Sequence, residues 1–164
     1  MSRFLRLFAC ASPVLLAALP AFADELAYLD SRYFGSAGVC DAAVSDSVSA
    51  LPDAIILTGD RGRREFLFNY PGTCSIDSIV SPNMYGRGSE GVQTSMVAVS
   101  CISDVAVPDF ELLALEYQPN ARNGAGTVDI YPVGSASDVA SSMLGTYEEC
   151  KGDAAAALVR MYGG

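Results

Sequence analysis

From Ala54 to Val133 the chain breaks into short runs of β-branched and aromatic residues separated by Gly, Pro, Asn and Asp. Ala54–Thr58 (AIILT) is continuously apolar. Glu65–Tyr70 (EFLFNY) alternates and puts Phe66, Phe68 and Tyr70 on one face, the period of a strand with one buried side. TCSIDSIVSP (73–82), VQTSMVAVSCI (92–102), FELLALEY (110–117) and TVDIYPV (127–133) follow, and FELLALEY is apolar on most of both faces. GDRGRR, Pro71-Gly72, MYGRGSEG and QPNARNGAG read as turns and loops between them. Six strands at this spacing predict an all-β fold, a small antiparallel barrel or sandwich.

The flanks read differently. Leu26, Leu29 and Tyr33 fall on one helical face, and AAVSDSVSALP reads as a loop or loose helical turn ending at Pro52. Near the other end, Ser137-Asp138 caps a brief helix through Leu144, stopped by Gly145. GTYEECK (145–151) reads as a final strand. Asp153 then opens AAAALVRMY, a helix too short to be stable unless it docks.

The first residues are MSRFLRLFACASPVLLAALPAFADEL: a basic head, an apolar run from Leu7 to Leu19, and Ala21-Phe22-Ala23 with small residues where a signal peptidase reads. The run is short of the about 20 residues a bilayer span needs. It predicts a signal peptide over 1–23, a single mature domain over 24–164, and a periplasmic or secreted location without a membrane anchor. Cys10 leaves with the signal. Cys40, Cys74, Cys101 and Cys150 remain, an even number that implies two disulfides in one of three connectivities.

Hairpin register narrows the choice. If 74–80 pairs with 95–101 around the Gly-rich loop, symmetric pairing sets Cys74 opposite Cys101, Ile76 opposite Val99 and Ser78 opposite Val97. Residues opposed at a non-hydrogen-bonded position have Cα atoms about 4.5 Å apart, within the range of disulfides. Cys74 is therefore expected to bond Cys101, and Cys40 to bond Cys150 by elimination.

Charge and composition then restrict the chemistry. The signal removes two arginines and no acids, leaving eight basic against nineteen acidic residues, a net charge of −11. Such a surface repels nucleic acid and anionic membranes and suits a cation or a basic protein. With no histidine, histidine triads are excluded. With the cysteines paired and no C-x-x-C, neither a thiol nucleophile nor a zinc site is expected, and neither metal nor cofactor is called for. Glu148 and Glu149 are adjacent, so on a strand they point to opposite faces, poor geometry for paired acid–base work. Gly86–Gly91 matches G-x-G-x-x-G, but it links two strands with no helix after it and reads as a hairpin loop. Arg61, Arg63 and Arg64 sit beside Asp60 and Glu65 and read as a solubilising turn ahead of an anion site. Phe66, Phe68 and Tyr70 read first as core, and as ligand-lining residues if a barrel encloses a cavity.

Tyr33-Phe34-Gly35 ahead of Cys40, TCSIDSIV, VAVSC and TYEEC together resemble small exported proteins of proteobacteria that share a four-cysteine β frame. That resemblance implies fold and location. A fainter likeness is to periplasmic inhibitors of C-type lysozyme, small disulfide-bonded β-barrels in which a Lys-Gly motif helps block the enzyme. Here Lys151-Gly152-Asp153-Ala154 leads into Ala157-Leu158. The family's Gly-Ala-Arg-Tyr motif has only Asn120-Ala121-Arg122-Asn123-Gly124 as its nearest stretch, and its tryptophan is absent.

The expected function is a non-enzymatic binding module of unknown ligand, with inhibition of a basic cell-wall hydrolase as the alternative. Lys151, Gly152, Phe66, Phe68 and Tyr70 are the candidate binding residues. The export reading is checked by N-terminal sequencing of the mature protein: it begins at Asp24, and a form that retains Met1 or starts at a lipidated Cys10 overturns the assignment.

Overall fold

The computed structural model describes residues 26–48, 51, 53–68, 72–82, 91–103, 106–135 and 138–162. The expected signal peptide, Tyr70 and most of the Gly86–Gly91 loop lie outside these residues. Eight strands form a closed antiparallel barrel: β1 (Tyr33–Gly35), β2 (Ile55–Thr58), β3 (Glu65–Phe68), β4 (Gly72–Pro82), β5 (Gln93–Ser103), β6 (Ala106–Arg122), β7 (Ala125–Pro132) and β8 (Gly145–Glu149). Each pairs with its neighbours in sequence, and β1 closes the ring against β8 through Phe34↔Glu149 and Gly35↔Glu148. Among the described residues, three short α-helices complete the fold: α1 (Val39–Val44), α2 (Asp138–Met143) and α3 (Gly152–Tyr162).

Alternation along the strands sends one set of side chains inward. Phe34, Leu57, Phe66, Val99, Leu113, Leu115, Val128, Ile130 and Tyr147 meet in one buried cluster. Eight strands leave a lumen that such side chains fill. Leu26, Tyr28 and Leu29, from a 3₁₀ turn at Ala27–Leu29, join the cluster from one end, and Met143 of α2 joins it too. Tyr147 donates its hydroxyl to the Met143 carbonyl at 3.0 Å.

A second buried layer lies outside the barrel. Tyr33, Ile56 and Leu67 face outward and pack under Val39 and Ala43 of α1 and Ala154, Ala157 and Leu158 of α3. This explains why AIILT shows no alternation: Ile55 and Leu57 face the lumen while Ile56 faces the helices. The docked face is also what stabilises α3, which is too short to hold alone.

Both expected disulfides are present. Cys74 faces Cys101 across the β4–β5 ladder with Cα atoms 4.0 Å apart, and Cys40 on α1 bonds Cys150 after β8 at 5.2 Å. Paired cysteines of this kind form and persist in oxidising environments.

Four expectations are corrected. The barrel has eight strands where six runs plus the GTYEECK strand were read, because β1 is only three residues long and carries no periodicity of its own. Tyr33 is therefore in β1 and does not continue the helical turn of Leu26 and Leu29. Ser78 faces Ala98 rather than Val97, because a bulge between Ile76 and Ser78 shifts the register past Val99. QPNARNGAG is not a loop: β6 runs to Arg122 and turns at Asn123-Gly124, both at positive φ (48° and 79°), as a tight hairpin requires.

The two disulfides close loops of very different length, with sequence separations of 110 and 27 residues. In the chain-entropy model, replacing Cys40 and Cys150 by serine costs about 5 kcal/mol and replacing Cys74 and Cys101 about 3.5 kcal/mol. Urea unfolding of the two double variants checks the order; a greater loss from the hairpin pair reverses the assignment of the main staple.

Candidate functional site

One rim of the barrel lies at the end where β1 starts and β8 finishes, with the β2–β3 and β6–β7 turns beside them. Its centre is Glu149, an inward position at the closing seam opposite Phe34. One carboxylate oxygen accepts the Gly126 N–H at 2.9 Å and lies 3.3 Å from Lys151 Nζ; the other lies 3.5 Å from Arg32. Arg32 also donates to the Tyr117 hydroxyl at 3.2 Å. The Tyr117 ring stacks on Tyr28 with centroids 4.3 Å apart and planes parallel to 1°, and Phe34 meets both rings edge-on. Gly126 makes room for this stack, since a Cβ there would stand 2.7 Å from the Tyr117 ring. The group ties β1, β6, β7 and β8 to the turn that plugs the rim.

Beside it opens a cleft of about 830 Å³, lined in part by Asp30, Ser31, Arg63, Arg64, Ser75 and Asp77. It exists because β3 is short. The β3–β4 ladder ends at Glu65↔Ser75, and Ile76 N–H reaches the Arg64 carbonyl at 2.8 Å. Beyond that point β4 is paired with β5 alone among the described residues. Arg64 spans the cleft wall to Asp30, with nitrogen–oxygen distances of 3.0–3.2 Å to both carboxylate oxygens. Arg61 lies 3.9 Å from Asp60 and Arg63 lies 4.0 Å from Glu65. Each arginine of the turn thus has a carboxylate beside it.

Several tyrosines sit in poorly solvated places. Burial pushes the Tyr33 phenol up to about 12, and its 3.0 Å hydrogen bond to Asp60 adds to the rise, because the phenolate would face a carboxylate. Burial likewise raises Tyr28, against the lowering influence of the Arg64 charge, and it raises Tyr147 and Tyr162. The Tyr28 hydroxyl is buried without a hydrogen-bond partner.

The candidate binding residues separate. Phe66 is fully buried in the lumen and Phe68 packs against the same cluster, so both belong to the core. Lys151 is half exposed but engaged: it donates to the Gly124 carbonyl and pairs with Glu149, fastening the β6–β7 turn to the end of β8. Gly152 follows it at φ 57° and opens α3. Arg32, Tyr28 and Tyr117 were not singled out from sequence, and Glu149 was considered only beside Glu148 as a carboxylate pair and set aside. They lie up to 121 residues apart, with no local pattern to join them. Among the described residues no three His, Cys, Asp or Glu side chains are grouped to hold a metal ion, and no helix is long and apolar enough to cross a membrane. Comparison with protein-family models, with curated proteins and with solved structures finds no match.

The tyrosines generate a pH prediction. A phenol whose folded pKa is raised keeps its proton while the unfolded chain ionises near pH 10, so unfolding releases protons above that pH. The contribution of Tyr33 is complete below pH 10 and is lost as pH rises through about 12. Absorbance at 295 nm and circular dichroism followed together show part of the tyrosine ionisation coinciding with unfolding. A single ionisation step near pH 10 in a protein that stays native overturns the burial argument.

Proposed function

We propose that the chain is a periplasmic or secreted binding module that meets its ligand on its exterior and performs no chemistry of its own. The observation that carries this reading is the filled lumen. Side chains from all eight strands and from the rim plug occupy the space in which other eight-stranded barrels can hold a small molecule. What remains for recognition is the rim cleft and the outer wall.

A second reading, inhibition of a basic cell-wall hydrolase, is favoured by the mature charge of −11. Opposite charge would steer association at low salt and weaken as salt screens it, over about 8 Å at physiological ionic strength. In that reading Lys151 would have to leave Glu149 and Gly124 to enter an active-site cleft.

Two measurements test these readings. Native mass spectrometry of the protein taken from the periplasm, with chemical cross-linking in the same extract, gives a ligand-free barrel and a macromolecular cross-link; an apolar small molecule retained one-to-one in the lumen sinks the exterior reading. Clearing of a cell-wall suspension by C-type lysozyme is slowed by the mature domain if the second reading holds, and Lys151→Ala relieves the inhibition. No slowing at large molar excess in low salt removes it.

A further inference from the structure

The outer face of β6 raises a question that the core does not answer. Leu113, Leu115 and Tyr117 point inward, so Phe110, Leu112, Ala114 and Glu116 point out. Phe110 is 73% exposed and Leu112 40% exposed. The ladders set Phe110 opposite Ser100 and Leu112 opposite Ala98 on β5, and Ala114 opposite Tyr131 on β7. Ile102, 67% exposed, stands one outward position beyond Ser100. The exposed residues are neighbours, directly or diagonally, on one wall. The corresponding apolar residues on β1–β3 lie under α1 and α3, but no described element covers this wall.

Charge continues where the apolar strip ends. Glu116 faces Asp129 directly across the β6–β7 ladder, on the outward side. Like charges so opposed destabilise a sheet. Gln118 donates to Glu116 and Thr146 to Asp129, but no arginine or lysine pairs with either among the described residues. From Glu65 through Ala121, both included, the sequence holds seven acidic residues and one basic residue, Arg87, and β7 has no basic residue.

Resting on the exterior-binding reading above, we propose that the β5–β6–β7 outer wall docks a cationic protein segment, one that lays apolar side chains on Ile102, Phe110 and Leu112 and sets a lysine or arginine against Glu116 and Asp129. A contiguous apolar patch bordered by polar residues marks an interaction site. The acidic border selects the sign of the partner. A second copy is the wrong occupant, because it would bring another −11 charge and the same carboxylate pair to the contact.

The test uses the mature, disulfide-bonded protein and two fluorescently labelled 18-residue amphipathic peptides, one of leucine and lysine, the other with glutamate in place of every lysine. Fluorescence anisotropy shows binding of the lysine peptide only. The exposed double variant Ile102→Ser/Phe110→Ser weakens it at least tenfold, and Glu116→Gln/Asp129→Asn weakens it several-fold and flattens its salt dependence. Circular dichroism confirms that both variants keep the fold. Equal binding of the two peptides, or binding unchanged in both variants, overturns the proposal. So does self-association in sedimentation that Phe110→Ser abolishes, which would make the occupant a second copy. If the wall variants keep the native cross-linked partner and only changes at Arg64 or Asp77 lose it, this surface is wrong while exterior binding stands. A small molecule retained in the lumen brings down both.

Discussion

Closure of the barrel depends on a strand three residues long. β1 pairs with both β2 and β8, yet only Phe34 and Gly35 face β8. So short a ladder contributes little alone, and reinforcement surrounds it. Cys150 N–H reaches the Tyr33 carbonyl at 2.8 Å, and the Cys40–Cys150 disulfide fixes the end of β8 to α1. Arg32 bridges the rim to Glu149. Gly35 completes the seam because a Cβ there would stand 2.6 Å from Val39, so α1 could not turn back over the strand. The longer-range disulfide, the docked α1 and α3 helices and the rim network therefore converge on one weak point in the ring. A closed ring is also what leaves most strands without an exposed edge.

Once the ring is closed, the lumen is too narrow to be both a core and a pocket. Phe34, Phe66 and Tyr147 take the space, and the 3₁₀ turn seals the rim with Tyr28 stacked on Tyr117. The unpartnered Tyr28 hydroxyl is a cost of that seal, since a buried hydroxyl without a hydrogen bond loses its hydration. The rings around it compensate through buried area and edge-to-face contact. Lys151, adjacent to Gly152 in the motif that suggested a contact residue, becomes one of the ties at the rim.

Much of the fold was legible because its signals are local. Alternation in EFLFNY and turn residues at short intervals signalled antiparallel β-structure, and register alone paired Cys74 with Cys101. The choice of barrel over sandwich was not legible, because it rests on Phe34↔Glu149, a contact between residues 115 apart that no periodicity reports. The Asn123-Gly124 hairpin was legible in principle and was obscured by the polar residues around it. The rim group could not be read, since Arg32, Tyr117 and Glu149 come from three distant segments and each alone resembles a solvated or core residue.

AIILT and FELLALEY are each apolar on both faces, and the fold treats them differently. In AIILT the second face is accounted for: Ile56 packs beneath α1 and α3, which the Cys40–Cys150 bond holds in place. In FELLALEY the second face, with Phe110 and Leu112, stays in water beside two carboxylates that face each other. Stability of the monomer gives no reason for either feature. Serine or threonine at the outward positions would suit a solvated strand, and separating Glu116 from Asp129 would relieve their repulsion. Both features become favourable together only when something apolar and positively charged lies on that wall. The same strand thus serves the core through Leu113, Leu115 and Tyr117 and leaves on its opposite side the apolar and acidic surface on which the proposed docking rests.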